Sequence, residues 1–202
     1  MGANNVQAVP NAENTKKILR LGLILFTVTA ITGVILGVVY EITLIPIRRT
    51  QERLKNEALA GALPEAKSFS PVELAPNSDP VVKEVQKAEQ EGDLVGYCVT
   101  VTPRGYGGPM EIVVGVTKEG KLRAIRILSQ SETPGLGAKA PLPAFSGQYE
   151  NKEAETLTIV RVAPSSPEQI QAISGATITS NAVTGGVNAA LLYWKQNLEG
   201  GN

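Results

Sequence analysis

The sequence predicts an α+β protein: a single N-terminal transmembrane helix followed by an antiparallel sheet with helices packed on it. Three observations carry this. Leu21 to Tyr40 runs for twenty residues without a charge. Leu94–Thr102, Met110–Val116 and Leu122–Leu128 are rich in β-branched residues and broken by turn residues, as strands are. From Asn181 to Asn197, apolar residues Val183, Val187, Ala190, Leu191 and Trp194 recur at helical spacing and give one apolar face. Together they describe an antiparallel sheet covered by helix.

Taken in order, Met1 to Asn14 is a short polar tail. The apolar run that follows makes roughly 30 Å of helix at 1.5 Å per residue, enough for a bilayer's hydrocarbon core. Its threonines Thr27, Thr29 and Thr32 are tolerable there because their hydroxyls can bond back to helix carbonyls. A signal peptide would have a shorter apolar region and a small-residue cleavage site, and a buried core helix is rarely apolar on every face. No second stretch of this kind follows, so the chain is expected to cross a membrane once, over residues 21–45. Gly33 and Gly37 form a small-xxx-small pair that would let another helix approach. Lys16, Lys17 and Arg20 precede the span and Arg48, Arg49, Arg53 and Lys55 follow it, so charge leaves the orientation open.

Residues 46–80 read as a juxtamembrane helix and linker. Arg48 to Ala62 mixes charge with leucine and alanine, Leu63-Pro64 ends the helix, and a Pro/Ser/Asn-rich stretch runs to Pro80. A globular domain is expected over residues 81–202. Val81–Glu91 is ambiguous between strand and helix. The Lys118–Lys121 turn, with Gly120, joins two strands of a meander. Cys98 in the strand before them reads as a buried, inert thiol. Leu157–Val162 is a further short strand, and Ser180 is the expected N-cap of the closing helix.

Composition narrows the chemistry. The 202 residues include no histidine, one cysteine, and 19 basic against 19 acidic side chains. Without histidine there is no Ser-His-Asp or Cys-His hydrolase and no histidine-ligated metal. One thiol cannot by itself hold an iron–sulfur cluster. Zero net charge argues against a nucleic-acid partner, which would call for a basic stripe. Redox or transfer chemistry here would need an organic cofactor.

Two stretches are too particular for a generic sheet. Ser131-Glu132-Thr133-Pro134-Gly135-Leu136-Gly137 follows a strand directly, and its glycines allow close backbone approach to a flat ligand. Ile173-Ser174-Gly175-Ala176-Thr177-Ile178-Thr179-Ser180-Asn181 leads small residues and hydroxyls into the long helix, whose N-terminus suits a phosphate. Gly185 and Gly186 inside that helix cost roughly 1 kcal/mol each against alanine, which close packing of a neighbouring backbone or ring would explain. On composition and spacing alone, a surface turn and a plainly capped helix are the simpler readings.

Ser174-Gly175-Ala176-Thr177 followed by Thr179-Ser180 resembles the flavinylation motif of FMN-binding domains, in which the threonine carries FMN through a phosphoester. The 131–137 loop, with Phe145 and Gln148-Tyr149 after it, resembles a second signature of that family, and Gly105-Tyr106-Gly107-Gly108-Pro109 fits its sheet. With the single anchor, the chain is similar almost end to end to G subunits of Rnf electron-transport complexes. The C subunits of sodium-translocating NADH:quinone reductases share the domain.

The resemblance implies FMN attached to Thr177, with Ser174, Gly175 and Ala176 shaping the turn at its phosphate end. It places Glu132, Thr133, Gly135, Leu136 and Gly137 near the isoalloxazine through backbone and apolar contact; Glu132 could instead be an exposed carboxylate. No residue is given a catalytic or metal-ligating role. The implied function is electron relay between ferredoxin and NAD within a redox-driven ion pump of the bacterial cell membrane. The implied partners are the other Rnf subunits, especially the membrane ones, together with a flavin transferase for maturation and the lipid bilayer. The transferase acts on the outer side, which implies a cytoplasmic N-terminus and an extracytoplasmic FMN domain. A C-type quinone-reductase subunit and a non-redox anchored assembly subunit are the alternatives.

Overall fold

The computed structural model describes residues 12–76, 78–153 and 156–200, so most of the expected polar tail lies outside the described residues. The chain divides into two compact units, Met1–Gln51 and Glu52–Asn202.

Helix α1 spans Ala12–Ala62 without a break. Within the first unit, Thr15–Thr43 is 29 residues of exposed helix, long and apolar enough for a membrane anchor. The threonine hydroxyls do what such a setting demands. Thr27 donates to the Leu23 carbonyl at 2.8 Å, Thr29 to those of Leu25 and Phe26, and Thr32 to that of Val28 at 2.8 Å. Pro46 lies inside α1 and has no N–H to give the turn before it, while its own carbonyl accepts the Thr50 hydroxyl at 2.9 Å. The helix expected over 48–62 is therefore the end of the same helix.

In the second unit, β1 (Ser68–Val72), β2 (Val82–Gln90), β3 (Asp93–Val101), β4 (Glu111–Thr117) and β5 (Leu122–Ser129) form an antiparallel sheet in that spatial order. The ambiguous Val81–Glu91 segment is strand because both its edges are paired, to β1 and to β3. Glu91 (φ 56°) and Gly92 (φ 97°) supply the two left-handed residues of a tight hairpin turn between β2 and β3. The stretch to Pro80, read as linker, is corrected in part: Ser68–Val72 is strand β1. Its proline sits on a sheet edge, where a missing N–H costs least.

Both faces of the sheet are covered, so β3 and β4 read as nearly continuous apolar runs. Tyr97, Val99 and Val101 of β3 and Ile112, Val114 and Val116 of β4 face one core; the alternating Cys98 and Val113 face another. The first core is closed by α3 (Thr177–Asn197) through Val183, Val187, Ala190, Leu191 and Trp194. The second is closed by Ala58, Leu59, Ala62 and Leu63, at and just beyond the end of α1. Cys98 is buried there, and burial pushes its thiol up to about 12. The 157–162 segment contributes β6 (Thr158–Val160), which pairs in parallel with β7 (Gln169–Gln171) in a small separate sheet.

The closing helix begins at Thr177, four residues before the expected start, and Ser180 does not cap it. Ser180 lies in the first turn, where its hydroxyl accepts from the Ile173 amide and donates to the Ala176 carbonyl, both at 2.9 Å. These two hydrogen bonds tie the preceding turn onto the helix, so the whole 173–180 stretch is one folded corner.

Candidate functional site

Three segments meet at the N-terminal end of α3. The first is the corner just described. The Ala176 amide bonds the Ile173 carbonyl at 2.9 Å, with Gly175 at φ +76° inside the turn. The first helical bond is Ser180 N–H to Ala176 C=O, 3.0 Å, which leaves the amides of Thr177, Ile178 and Thr179 without an acceptor inside the helix. Thr177 is the first residue of α3 and is half-buried, so it stands at the positive end of a 21-residue helix whose first three amides have no acceptor inside it.

The second segment is the loop after β5. Thr133-Pro134-Gly135-Leu136 is a turn closed by Leu136 N–H to Thr133 C=O, 3.1 Å, with Gly135 at φ +78°. Proline second and a left-handed glycine third are what a type II turn requires. The chain continues through a 3₁₀ turn, Gly137–Lys139, into the short helix α2 (Pro143–Ser146) and a second 3₁₀ turn ending at Tyr149. Tyr149 is fully buried and its hydroxyl lies 2.6 Å from that of Thr184, which pins this excursion to α3. Phe145 packs edge-on against the Tyr149 ring, centroids 5.5 Å apart.

The third segment is the β3–β4 connection, 102–110, closed by Gly105 N–H to Gly108 C=O at 2.8 Å and Met110 N–H to Pro103 C=O at 2.9 Å. It carries Tyr106 outward, 71% exposed.

Glu132 joins the three. It is only 6% exposed, which overturns the alternative of an exposed surface carboxylate. Its Oε1 accepts the Gly107 amide at 2.9 Å and its Oε2 accepts the Thr179 hydroxyl at 2.5 Å. A Cβ on Gly105 would collide with Oε1, and one on Gly137 would stand 2.5 Å from Oε2. A Cβ on Gly107 would collide with the Ser131 carbonyl oxygen. Three glycines are therefore a steric condition for closing the segments around this carboxylate.

Between the segments lies a cleft of about 540 Å³. Seven of the nine residues singled out in the sequence line it: Glu132, Thr133, Leu136, Gly137, Gly175, Ala176 and Thr177. Ser174 and Gly135 do not; Gly135 serves as the bend of its turn. Three further residues complete the lining, Tyr106, Ile178 and Thr179. The sequence signals for them were an aromatic among three glycines and membership of the 173–181 stretch; that Ile178 is 57% exposed is known only from the structure. Tyr106, Leu136 and Ile178 give the cleft apolar surfaces suited to a flat ring, and the helix end beside Thr177 gives it an anion site.

A family model of the FMN-binding domain matches residues 105–192, which takes in the first two segments and the third from Gly105 on. Over 161 residues the chain is 38% identical to the G subunit of the proton-translocating ferredoxin:NAD(+) oxidoreductase complex of Clostridium ljungdahlii, covering 80% of this chain and 83% of that one. It is 34% identical over 196 residues to the G subunit of the Na(+)-translocating ferredoxin:NAD(+) oxidoreductase complex of Acetobacterium woodii, covering 91% and 94%. Among solved structures it resembles the C subunit of the Na(+)-translocating NADH-quinone reductase of Parabacteroides distasonis in fold, with a TM-score of 0.53 at 24% identity over 68% of this chain and 80% of that one. On the strength of those identities over nearly full length, the chain belongs to the G subunits of ion-translocating ferredoxin:NAD(+) oxidoreductase (Rnf) complexes and carries their FMN-binding domain.

Proposed function

We propose that the chain holds FMN covalently, through a phosphoester on the Thr177 hydroxyl, and serves as one electron-carrying station of its complex. The observation that supports this most directly is the position of Thr177: half-buried, at the first turn of α3, on the wall of a 540 Å³ cleft with apolar surfaces on its other sides. The residues present fit the group. The free amides of Thr177, Ile178 and Thr179 would hold the phosphate, whose remaining negative charge favours the helix N-terminus. Gly175 at φ +76° keeps the corner free of a side chain, with Leu136 Cδ2 only 3.1 Å from where its Cβ would be. Tyr106, Leu136 and Ile178 would flank the isoalloxazine and exclude water from it. Bound flavin supplies an acceptor for electrons singly or in pairs, and the protein supplies its position and tunes its potential.

A threonine hydroxyl is a weak nucleophile until a base or metal activates it. With no histidine anywhere in the chain, attachment is assigned to a separate flavin transferase. The length and apolar character of the helix Thr15–Thr43 support a single crossing of the bilayer; in this reading the N-terminus lies in the cytoplasm and the FMN domain faces outward, among the membrane subunits of the complex.

The test is intact mass after acid denaturation of the full chain coexpressed with a flavin transferase. The wild type gains one FMN less one water and Thr177→Ala gains nothing. An unmodified wild type, with a proven substrate modified in parallel, refutes the reading.

A further inference from the structure

We propose that Glu132 is a positioning residue that also acts electrostatically: it assembles the cleft and, as a buried negative charge, makes the flavin there harder to reduce. The inference rests on the FMN reading above and extends it to the control of potential.

Buried carboxylates are ordinarily paired with a cation. Glu132, 6% exposed, has instead the Gly107 amide at 2.9 Å and the Thr179 hydroxyl at 2.5 Å. One oxygen faces a backbone amide and the other a hydroxyl, so both partners are neutral dipoles. Dipoles of this kind hold a charge in place without cancelling it. Among the described residues lining the cleft there is no lysine or arginine; Arg104 and Lys139, close in sequence, do not line it. The field of Glu132 therefore reaches the cleft with no lysine or arginine on that wall to neutralise it, only the partial charge of the α3 N-terminus. When oxidised flavin takes up two electrons and one proton, the ring gains one net negative charge. A fixed negative charge in the cleft wall opposes that gain. Gly105 and Gly137 show that the packing is built around this group, since side chains there would occupy the space of its two oxygens.

The experiment uses the full chain in detergent micelles, flavinylated by the transferase, with FMN load measured by mass before titration with dithionite and mediator dyes. Glu132→Gln keeps the length of the side chain. Its amide oxygen can accept from Gly107, and its NH₂ can donate to a reoriented Thr179 hydroxyl. The potential is read on the flavinylated fraction, whatever the load: expected, at a fixed ambient potential, is a ratio of reduced to oxidised flavin about tenfold higher, which for a two-electron couple is a rise of about 30 mV. Thr179→Val keeps the carboxylate and removes one of its donors, so the potential is expected to fall. Opposite signs separate a charge effect from mere loosening of the cleft, which moves both variants the same way. An unchanged or lower potential in Glu132→Gln overturns the inference. If that variant does not fold, a Thr179→Val potential that fails to fall overturns it. Loss of the FMN reading itself would show earlier and differently, as wild-type chain without FMN mass.

Discussion

Adjacent glycines in α3, Gly185 and Gly186, look alike in the sequence, yet the structure gives them opposite roles. A Cβ on Gly185 meets nothing within 4 Å. A Cβ on Gly186 would stand 2.9 Å from Pro103 Cγ and 3.2 Å from both Pro103 Cδ and Val101 Cγ2. Neither neighbour yields easily: the proline ring is rigid, and Val101 is fully buried at the end of β3. Gly185→Ala should therefore recover the helix-propensity difference, stabilising the domain by about 1 kcal/mol. Gly186→Ala gains the same but meets an overpacking cost of about 2 kcal/mol, for a net loss of about 1 kcal/mol. For a unit of this size each kcal/mol moves the midpoint by about 3 °C, so the variants should melt about 6 °C apart, on either side of the wild type. The assay is thermal denaturation of the full chain in detergent, followed by circular dichroism. Two stabilised variants, or two destabilised ones, would refute the argument that α3 packs closely against Val101 and Pro103 at Gly186 and not at Gly185.

Four further outcomes are expected. Gly107→Ala puts a Cβ against the Ser131 carbonyl, and the backbone shift that relieves the clash draws the residue 107 amide away from the buried Glu132 carboxylate, for a loss of about 3 kcal/mol; a melt within 3 °C of the wild type would contradict it. In Tyr149→Phe the phenol proton given to Thr184 is lost while the Thr184 hydroxyl keeps its own acceptor, the Ser180 carbonyl at 3.0 Å, so denaturant titration should show a loss of only about 1 kcal/mol. Cys98, with its thiol pushed up to about 12 by burial, should give no reaction with a thiol reagent at pH 8 in the native chain and one equivalent after unfolding; rapid native labelling would place it at the surface. Burial pushes the Glu84 carboxyl up, but the Lys55 ammonium at 2.6 Å and the Gln86 amide at 2.8 Å outweigh it and hold it below the usual glutamate value. The folded state then binds fewer protons than the unfolded one, so the contribution is present above the ordinary glutamate value and is lost as pH falls through the lowered one. Both side chains are 35% exposed, so the effect is below about 1 kcal/mol: Glu84→Gln should lower the midpoint slightly at pH 7 and not at pH 3.

Much of this was legible before any coordinates, for reasons that are local. Twenty uncharged residues can form only a helix in an apolar medium, and Thr27, Thr29 and Thr32 bond back to carbonyls three or four residues away, within the same helix. The strands β3, β4 and β5 and the turn at Gly120 follow from β-branched runs and a left-handed glycine. The Ser-Gly-Ala-Thr motif marked the helix end because its small residues and hydroxyls have one local use there. What distance along the chain separates, the sequence could not join. Strand β1 carries proline and serine, and only its pairing with β2 makes it a strand. Ser180 has the chemistry of a cap, but the corner at Ile173 uses its hydroxyl first, so the helix starts at Thr177. Gly185 and Gly186 differ only by what lies across the interface. Glu132 reads as a charged loop residue, and tertiary packing turns it into the buried meeting point of Gly107 and Thr179, 25 and 47 positions away. Backbone propensity and apolar period are properties of neighbours in sequence; burial, and with it the force of a charge, belongs to neighbours in space.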